Sequence, residues 1–194
     1  MPNRSRSLFK RSQLLSLLAV LTVALFSQNT LAQNDGPFFG KQAKGKWVIG
    51  VKAAKIENNQ EDIKDADAIG VVLGYEFERP IGDLGGSATF ELEYVSGDTT
   101  PITGVGNYEA NILNAFFTYR SAGKLYYKLK AGLSYADILL NTPAFDSSFE
   151  DVSLAAGIGL GYHVGDYGVI ELEYSQDTSD TDLGILGVNA LLEF

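Results

Sequence analysis

The last segment of the chain, from Leu186 to the final residue Phe194, alternates between two kinds of position. One parity holds Leu186, Val188, Ala190, Leu192 and Phe194, and the other holds Gly187, Asn189, Leu191 and Glu193. A period of two is typical of a β-strand whose two faces have different surroundings. The pattern recurs in seven upstream segments, and an unpaired edge strand is not tolerated in lipid, so the repetition predicts a closed barrel.

Eight segments are predicted to form the strands of an all-β, antiparallel, up-and-down transmembrane β-barrel. Their bounds are 47–56, 68–78, 87–95, 111–120, 125–135, 152–162, 168–174 and 186–194. Lengths of about nine to eleven residues suit a tilted membrane strand. The fourth segment is the least regular, because Ile112 and Phe116 lie on the face opposite its other apolar residues.

The connections between these segments alternate in length. Tight turns rich in Gly, Pro and Asp are predicted at 79–86, 121–123 and 164–166. Longer polar loops are predicted near 57–67, 96–108, 136–151 and 175–183. Short periplasmic turns and longer outer loops are the arrangement of bacterial outer-membrane barrels, so both ends of the barrel domain are expected on the periplasmic side.

The N-terminus has the layout of a secretory signal peptide. Four basic residues, at positions 4, 6, 10 and 11, precede an apolar stretch from Leu14 to Phe26, and small residues lead to Ala32. The apolar stretch is too short to anchor the chain across a bilayer. We therefore expect a signal peptide over 1–32 with cleavage near Ala32–Gln33, a short periplasmic segment over 33–45, and the barrel over 46–194.

Composition limits the partners. Removing 1–32 removes four of the 15 basic residues and none of the 24 acidic ones, which leaves a net charge of −13. This balance disfavours nucleic acid. The chain has no Cys, so it offers no disulfide framework, lipidated cysteine or thiolate chemistry.

Aromatic residues on the apolar faces distinguish a membrane barrel from a soluble, lipocalin-like barrel, which also alternates. At the predicted periplasmic ends lie Trp47, Phe77, Tyr119, Tyr127, Tyr162 and Phe194. At the predicted outer ends lie Tyr94, Tyr135 and Tyr174. Two aromatic girdles flanking an aliphatic band favour a membrane barrel.

Five motifs resemble those of the outer-membrane β-barrel domain family, the small eight-stranded OmpA/OmpX-like barrels. They are Lys46–Val51, Ile69–Tyr75, Lys128–Tyr135, Gly157–Tyr162 and the terminal Leu192–Phe194. The resemblance implies a monomeric barrel in a Gram-negative outer membrane, in contact with lipid and lipopolysaccharide. It also implies that Phe194 is an assembly signal read by the barrel-assembly machinery. The periplasmic peptidoglycan-binding domain of full OmpA-like proteins is not expected, so cell-wall anchoring does not carry over.

A belt of charge is predicted inside the barrel. Seven residues share the inward parity at similar depth, and they are Lys52, Glu91, Glu93, Lys128, Lys130, Glu171 and Glu173. Charges confined to an interior just wide enough for side chains should form pairs. The belt is interpreted as a structural salt-bridge plug, with a gate or proton-conducting pore as the alternative.

No residue pattern indicates catalysis, a cofactor or a resident metal. His163, the sole histidine, lies inward at the periplasmic end, whereas a lipid A-modifying enzyme needs one near the outer rim. Acidic residues in the outer loops suggest solvation, or divalent cations shared with lipopolysaccharide phosphates. Ile138, Leu139, Leu140 and Phe145 in the third outer loop indicate either strand extension or a partner-contact patch.

The sequence therefore predicts a small outer-membrane barrel, not an enzyme, with a structural, envelope-integrity or surface-interaction role. A surface partner would bind through the outer loops. The first alternative is a narrow, porin-like channel for small solutes or ions, and the second is a lipid A-modifying enzyme.

Overall fold

The computed structural model describes residues 45–58, 64–77, 85–102, 106–142, 146–178 and 183–194. These residues all belong to one compact unit, Lys44–Phe194. The predicted signal peptide over 1–32 and nearly all of the segment over 33–45 lie outside the described residues. Within the described part of the chain, no helix is long and apolar enough to cross a membrane.

Nine β-strands make up the described structure. They are β1 Gly45–Asn58, β2 Ala66–Phe77, β3 Ser87–Gly97, β4 Thr100–Ile102, β5 Gly106–Arg120, β6 Leu125–Asn141, β7 Asp146–Val164, β8 Gly168–Asp177 and β9 Leu183–Glu193. Eight of them are long, and β4 is a three-residue strand that pairs with the start of β5.

The eight long strands close into an antiparallel barrel, as predicted. Each pairs with its neighbours in the order β3, β2, β1, β9, β8, β7, β6, β5, and β5 returns to pair with β3. The first and last strands form the seam over eleven residue pairs, from Val48 opposite Glu193 to Asn58 opposite Leu183. This topology places β3 and β8 on opposite walls, with three strands between them in either direction.

The barrel has two distinct ends. At the turn end, β5–β6 and β7–β8 join through short connections in which Gly123 and Gly165 have positive φ angles of 120° and 68°, a conformation that favours glycine. At the loop end, the strands continue well beyond their predicted limits. The predicted loop over 136–151 is largely wrong, because β6 and β7 stay paired from Ala136 opposite Asp151 to Asn141 opposite Asp146.

Alternation along the strands separates two environments. Val71 is 50% exposed on the outer wall, whereas its neighbour Val72 is 1% exposed inside. Aliphatic residues on the outer wall are similarly exposed on every side, including Ile69, Leu133, Leu154, Ile158 and Leu172. A continuous apolar surface of this kind is unfavourable in water and suits lipid.

The interior at the loop end is filled largely by apolar side chains. We call this group the loop-end cluster. Its buried members are Ile56, Ala66, Ala68, Val95, Tyr108, Ala110, Ile112, Ala136, Leu183 and Ile185. The Tyr108 hydroxyl also donates a hydrogen bond to the Lys64 carbonyl at 2.8 Å, which joins β5 to the segment before β2.

Candidate functional site

The structure brings all seven residues of the predicted charge belt together inside the barrel. Each is at most 4% exposed. They reach the interior because they share one parity along their strands. Lys52 lies on β1, the Glu91–Glu93 pair on β3, the Lys128–Lys130 pair on β6 and the Glu171–Glu173 pair on β8.

An eighth charged residue, Arg120, completes the belt. It is the last residue of β5, is 2% exposed, and has the same inward parity as Ile112 and Phe116. Arg120 is not among the residues predicted for the belt from the sequence. Extending the parity of Ile112 and Phe116 to the end of the strand would have placed Arg120 inside. Arg120 makes the belt electrically balanced, with four cations and four carboxylates.

The belt divides into two groups of four. The turn-end quartet contains Arg120, Lys128, Glu91 and Glu171. Arg120 Nε lies 2.8 Å from Glu171 Oε1, and Arg120 Nη2 pairs with Glu91 Oε1. Lys128 Nζ lies 2.9 Å from Glu91 Oε2 and 2.7 Å from Glu171 Oε2. Each cation of this quartet therefore contacts both of its carboxylates.

The loop-end quartet repeats this arrangement with Lys52, Lys130, Glu93 and Glu173. Lys52 Nζ lies 2.6 Å from Glu93 Oε2 and also pairs with Glu173 Oε1. Lys130 Nζ lies 2.8 Å from Glu93 Oε1 and 2.7 Å from Glu173 Oε1. Lys128 joins the two quartets through a 2.9 Å contact between its Nζ and Glu173 Oε2.

Every cation of the belt bridges opposite walls of the barrel. The four carboxylates of the belt come from β3 and β8, and each lysine or arginine contacts at least one carboxylate from each of these two strands. Arg120 Nη1 also lies 3.9 Å from Glu76 Oε2 on β2. The belt is therefore a set of struts across the interior. Such closely spaced pairs offset the cost of removing each charge from water.

Neutral polar groups satisfy further atoms of the turn-end quartet. The Tyr126 hydroxyl donates to Glu171 Oε1 at 2.6 Å, and Asn189 Nδ2 donates to Glu171 Oε2 at 3.2 Å. Arg120 Nη1 donates to Thr89 Oγ1 at 2.7 Å. These contacts fix the guanidinium and the carboxylate in one geometry.

The surroundings of the belt leave little room for a substrate. The cavity on its loop side, lined by polar and apolar side chains, has a volume of about 10 Å³. His163 lies near the turn end, with its ring centre 5.1 Å from that of Tyr126. Across the described ranges, no group of three or more His, Cys, Asp or Glu side chains is placed to hold a metal ion.

The predicted aromatic residues occupy outward positions at the two ends. At the turn end, Tyr127, Tyr162 and Phe194 are strongly exposed, and Trp47, Phe77 and Tyr119 are half-buried. At the loop end, Tyr94, Tyr135 and Tyr174 are half-buried. Phe194 is also fixed through its backbone, because its N–H donates to the Trp47 carbonyl at 3.0 Å and its carbonyl accepts from the Trp47 N–H at 2.8 Å.

Residues predicted for the outer loops divide into several groups. Asp146 and Glu150 are exposed on β7, but Asp177 is buried at the end of β8, where its Oδ1 accepts a 3.1 Å hydrogen bond from the Leu183 N–H. Ile138 and Leu140 are strand residues that pack against the loop-end cluster. Phe145 and the acidic residues at 61, 62, 180 and 182 lie outside the described residues.

Comparison with solved structures gives the same architecture. Ail, the attachment invasion locus protein of Yersinia pestis, matches with a TM-score of 0.56 and 15% identity, over 79% of this chain and 100% of that one. The N-terminal β-barrel domain of Pseudomonas aeruginosa OprF matches with a TM-score of 0.56 and 16% identity, over 78% and 100%. Neisserial surface protein A matches with a TM-score of 0.55 and 15% identity, over 77% and 97%.

Sequence identities this low show a common fold, and they do not show a common function. No curated protein sequence matches the chain. The family model described as the outer membrane protein beta-barrel domain, however, matches residues 18–192. With its closed eight-stranded barrel, apolar outer wall and paired interior charges, this chain belongs to the outer-membrane β-barrel domain family and resides in the outer membrane.

Proposed function

We propose that this protein is a non-conducting outer-membrane barrel with a structural, envelope-integrity or surface-interaction role. The observation that carries the proposal is the closed belt, in which four cations and four carboxylates tie β3 to β8 across the interior. A pore would need these struts to separate. Because breaking a buried ion pair leaves uncompensated charge, separation would cost several kcal/mol, roughly 3 to 5 for one pair.

The loop-end cluster supports the same proposal independently. Between the belt and the loop end, the interior is filled by apolar residues that include Ile56, Val95, Tyr108 and Ile112. An ion would have to leave water to pass this layer, which is strongly unfavourable. The ion-paired belt and the apolar layer on its loop side would therefore each block the passage of an ion.

The surface-contact part of the proposal rests on the loop end. If short turns face the periplasm, as in outer-membrane barrels generally, the paired extensions of β6 and β7 face outward. Asp146, Ser148 and Glu150 are exposed there on β7. A surface partner would meet this acidic extension, and lipopolysaccharide would surround the barrel below it. Proteins named for attachment or surface location share the fold, but their low identity carries no role to this chain.

Planar-bilayer recording of purified, refolded protein tests the proposal. We expect no steady conductance, while a refolded general porin in the same bilayers gives stable open channels. Liposome-swelling assays with small sugars should agree. Large, steady currents from the wild-type protein would reject the plug and favour the channel alternative.

Absence of enzymatic activity is part of the proposal. The side chains that could act as acid or base in the belt are engaged in ion pairs, and His163 lies at the turn end against Tyr126. Mass spectrometry of lipid A from cells with and without the protein provides the test. A reproducible loss or gain of an acyl chain would support the lipid A-modifying alternative instead.

We also propose Phe194 as the assembly signal. Phe194 closes the seam by exchanging two backbone hydrogen bonds with Trp47, and the residue is 68% exposed. Deleting Phe194 should lower the amount of assembled barrel without changing export, measured as heat-modifiable protein in outer-membrane fractions. Leu192→Ala, on the same face, is the control for lost apolar surface. Normal assembly of the deletion variant would reject the assignment.

The N-terminal segment is proposed to be removed during export. Its basic residues, apolar stretch and small residues before Gln33 support cleavage near Ala32–Gln33. Intact-mass measurement of the envelope protein should give a chain beginning near Gln33, and a retained N-terminus would contradict the proposal.

A further inference from the structure

A small polar cavity lies inside the barrel between the charge belt and the loop-end cluster. Its volume is about 10 Å³. The apolar part of its wall includes Ile112, Phe116 and Ile185, and the polar part includes Asn114, Ser134 and Ser175. A space of this size is about the smallest that holds one water molecule.

Asn114 gives the cavity its chemistry. The side chain is 1% exposed, and its Nδ2 has no hydrogen-bond partner within the described part of the chain. Asn114 lies on β5 directly opposite Ser134 on β6, while Ser175 comes from β8 on the far side of the cavity. Buried amide groups are nearly always hydrogen-bonded, so an unpartnered one beside a polar cavity indicates a bound acceptor.

We propose that this cavity is a binding site for a single, structurally ordered water molecule. The water accepts a hydrogen bond from the Asn114 Nδ2–H and donates to the hydroxyl oxygens of Ser134 and Ser175. It then has the two to four polar partners that buried waters require. The volume excludes a hydrated ion, and the Asp177 carboxylate in the wall already accepts a hydrogen bond from the Leu183 N–H.

The water is separate from the charge belt. Phe116, which forms one wall of the cavity, also faces the belt, since Lys130 Nζ lies 4.4 Å from the centre of its ring. The site links β5, β6 and β8 on the loop side of the ion pairs. The Phe116 ring lies between the bound water and the charged groups of the belt. The inference does not depend on the proposed function, because the same water binds whether or not the barrel contacts a surface partner.

A crystal structure of the full protein, at a resolution that shows ordered surface waters, tests the site directly. We expect one isolated density peak within hydrogen-bonding distance of Asn114 Nδ2 and of a serine hydroxyl. An empty cavity in such a map overturns the proposal. Density that refines only as a larger molecule from the crystallisation solution also overturns it.

A mutational cycle gives a second, independent measurement. Asn114 and Ser175 lie on strands that do not pair, so a water bridge is what couples them. Asn114→Ala and Ser175→Ala should each lower the urea midpoint of unfolding in detergent. Their combination should lower it by clearly less than the sum, because one water is lost in all three variants. Asn114→Ala combined with Ser148→Ala, an exposed serine on β7, is the additive control. Additive losses for Asn114 and Ser175 would overturn the bridge.

Discussion

The charge belt and the loop-end cluster fill the same barrel by opposite means. The belt places eight charged groups where each is at most 4% exposed. The loop-end cluster uses Ile, Leu, Val, Ala and Tyr side chains that are at most 6% exposed. Charges in the belt depend on specific partners, whereas apolar side chains in the cluster depend mainly on contact and volume.

The two regions should therefore respond differently to substitution. In the belt, the balance between cations and carboxylates determines how much stability a substitution costs. Removing a cation alone should therefore destabilise the barrel far more than removing a cation together with a carboxylate. In the cluster, the volume of side chain that is lost determines how much stability a substitution costs. The loss of stability should therefore increase with the number of carbon atoms removed. The barrel thus combines a charged layer that is sensitive to any single unbalanced substitution with an apolar layer that tolerates small losses of volume.

The largest effect is expected when two cations leave the belt together. Lys128→Met with Lys130→Met leaves four carboxylates with Lys52 and Arg120 alone, an excess of two buried negative charges. Removing one partner of a buried ion pair costs on the order of 3 to 5 kcal/mol. Two cations are removed here, so we expect a severe loss of the free energy of unfolding or a failure to refold. Urea titration of the protein refolded into lipid vesicles gives the value.

Lys124→Met is the matched control for the double variant. Lys124 is exposed in the turn before β6, only four residues from Lys128. Its substitution should leave the unfolding midpoint close to that of the wild type. If the double variant were as stable as this control, the belt would be solvated and its ion pairs would contribute nothing to the barrel.

A smaller effect is expected from truncation within the loop-end cluster. Ile112 is 1% exposed, and Ile112→Ala removes three methyl or methylene carbons from a packed layer. Such substitutions typically cost about 2 to 5 kcal/mol. Val188→Ala, on the lipid-facing wall, is the comparison, and urea titration of both variants should show the larger loss for Ile112→Ala. Equal losses would mean that the cluster is loosely packed.

Much of the belt could be predicted from the sequence because a strand has a strict period of two. Two lysines or two glutamates at i and i+2 must share one face of the strand. The residue between them is apolar and lies on the opposite, lipid-facing side, so the charged face is the one that points into the barrel. Arg120 was missed because Ile112 and Phe116 made the inward face of β5 look apolar.

The strand extensions at the loop end could not be predicted, for a different physical reason. Residues 146–151 contain three acidic residues and two serines, which are typical of a loop, yet they form strand through pairing with β6. Tertiary pairing of this kind overrides local propensity. The hydrogen bond from Tyr108 to the Lys64 carbonyl joins groups 44 residues apart and has no local signal.

Balanced removal of charge from the belt should cost less than unbalanced removal. Lys130→Met alone leaves Lys52 as the one cation of the loop-end quartet, although Lys128 still contacts Glu173. A loss of about 3 kcal/mol is expected. Adding Glu93→Gln restores the balance and should reduce the loss to less than about 1 kcal/mol, since neutral replacements of buried pairs are often tolerated. A double variant less stable than Lys130→Met alone would show that the quartets do not act as balanced units.

The smallest effect is expected for an ion pair outside the barrel interior. Lys55 on β1 lies opposite Asp67 on β2, with Nζ 3.8 Å from Oδ1, and the two side chains are 54% and 78% exposed. Solvent and salt screen such pairs, so Lys55→Met should change the free energy of unfolding by no more than about 0.5 kcal/mol. The small effect should also decrease as salt is added, whereas the cost of Lys130→Met should not, because salt does not reach a buried partner. Urea titrations of both variants at low and high ionic strength make this comparison. If Lys55→Met lowered the free energy of unfolding as much as Lys130→Met, the loss of a charge alone would account for the effect. Burial of the ion pairs between β3 and β8 would then contribute nothing to stability.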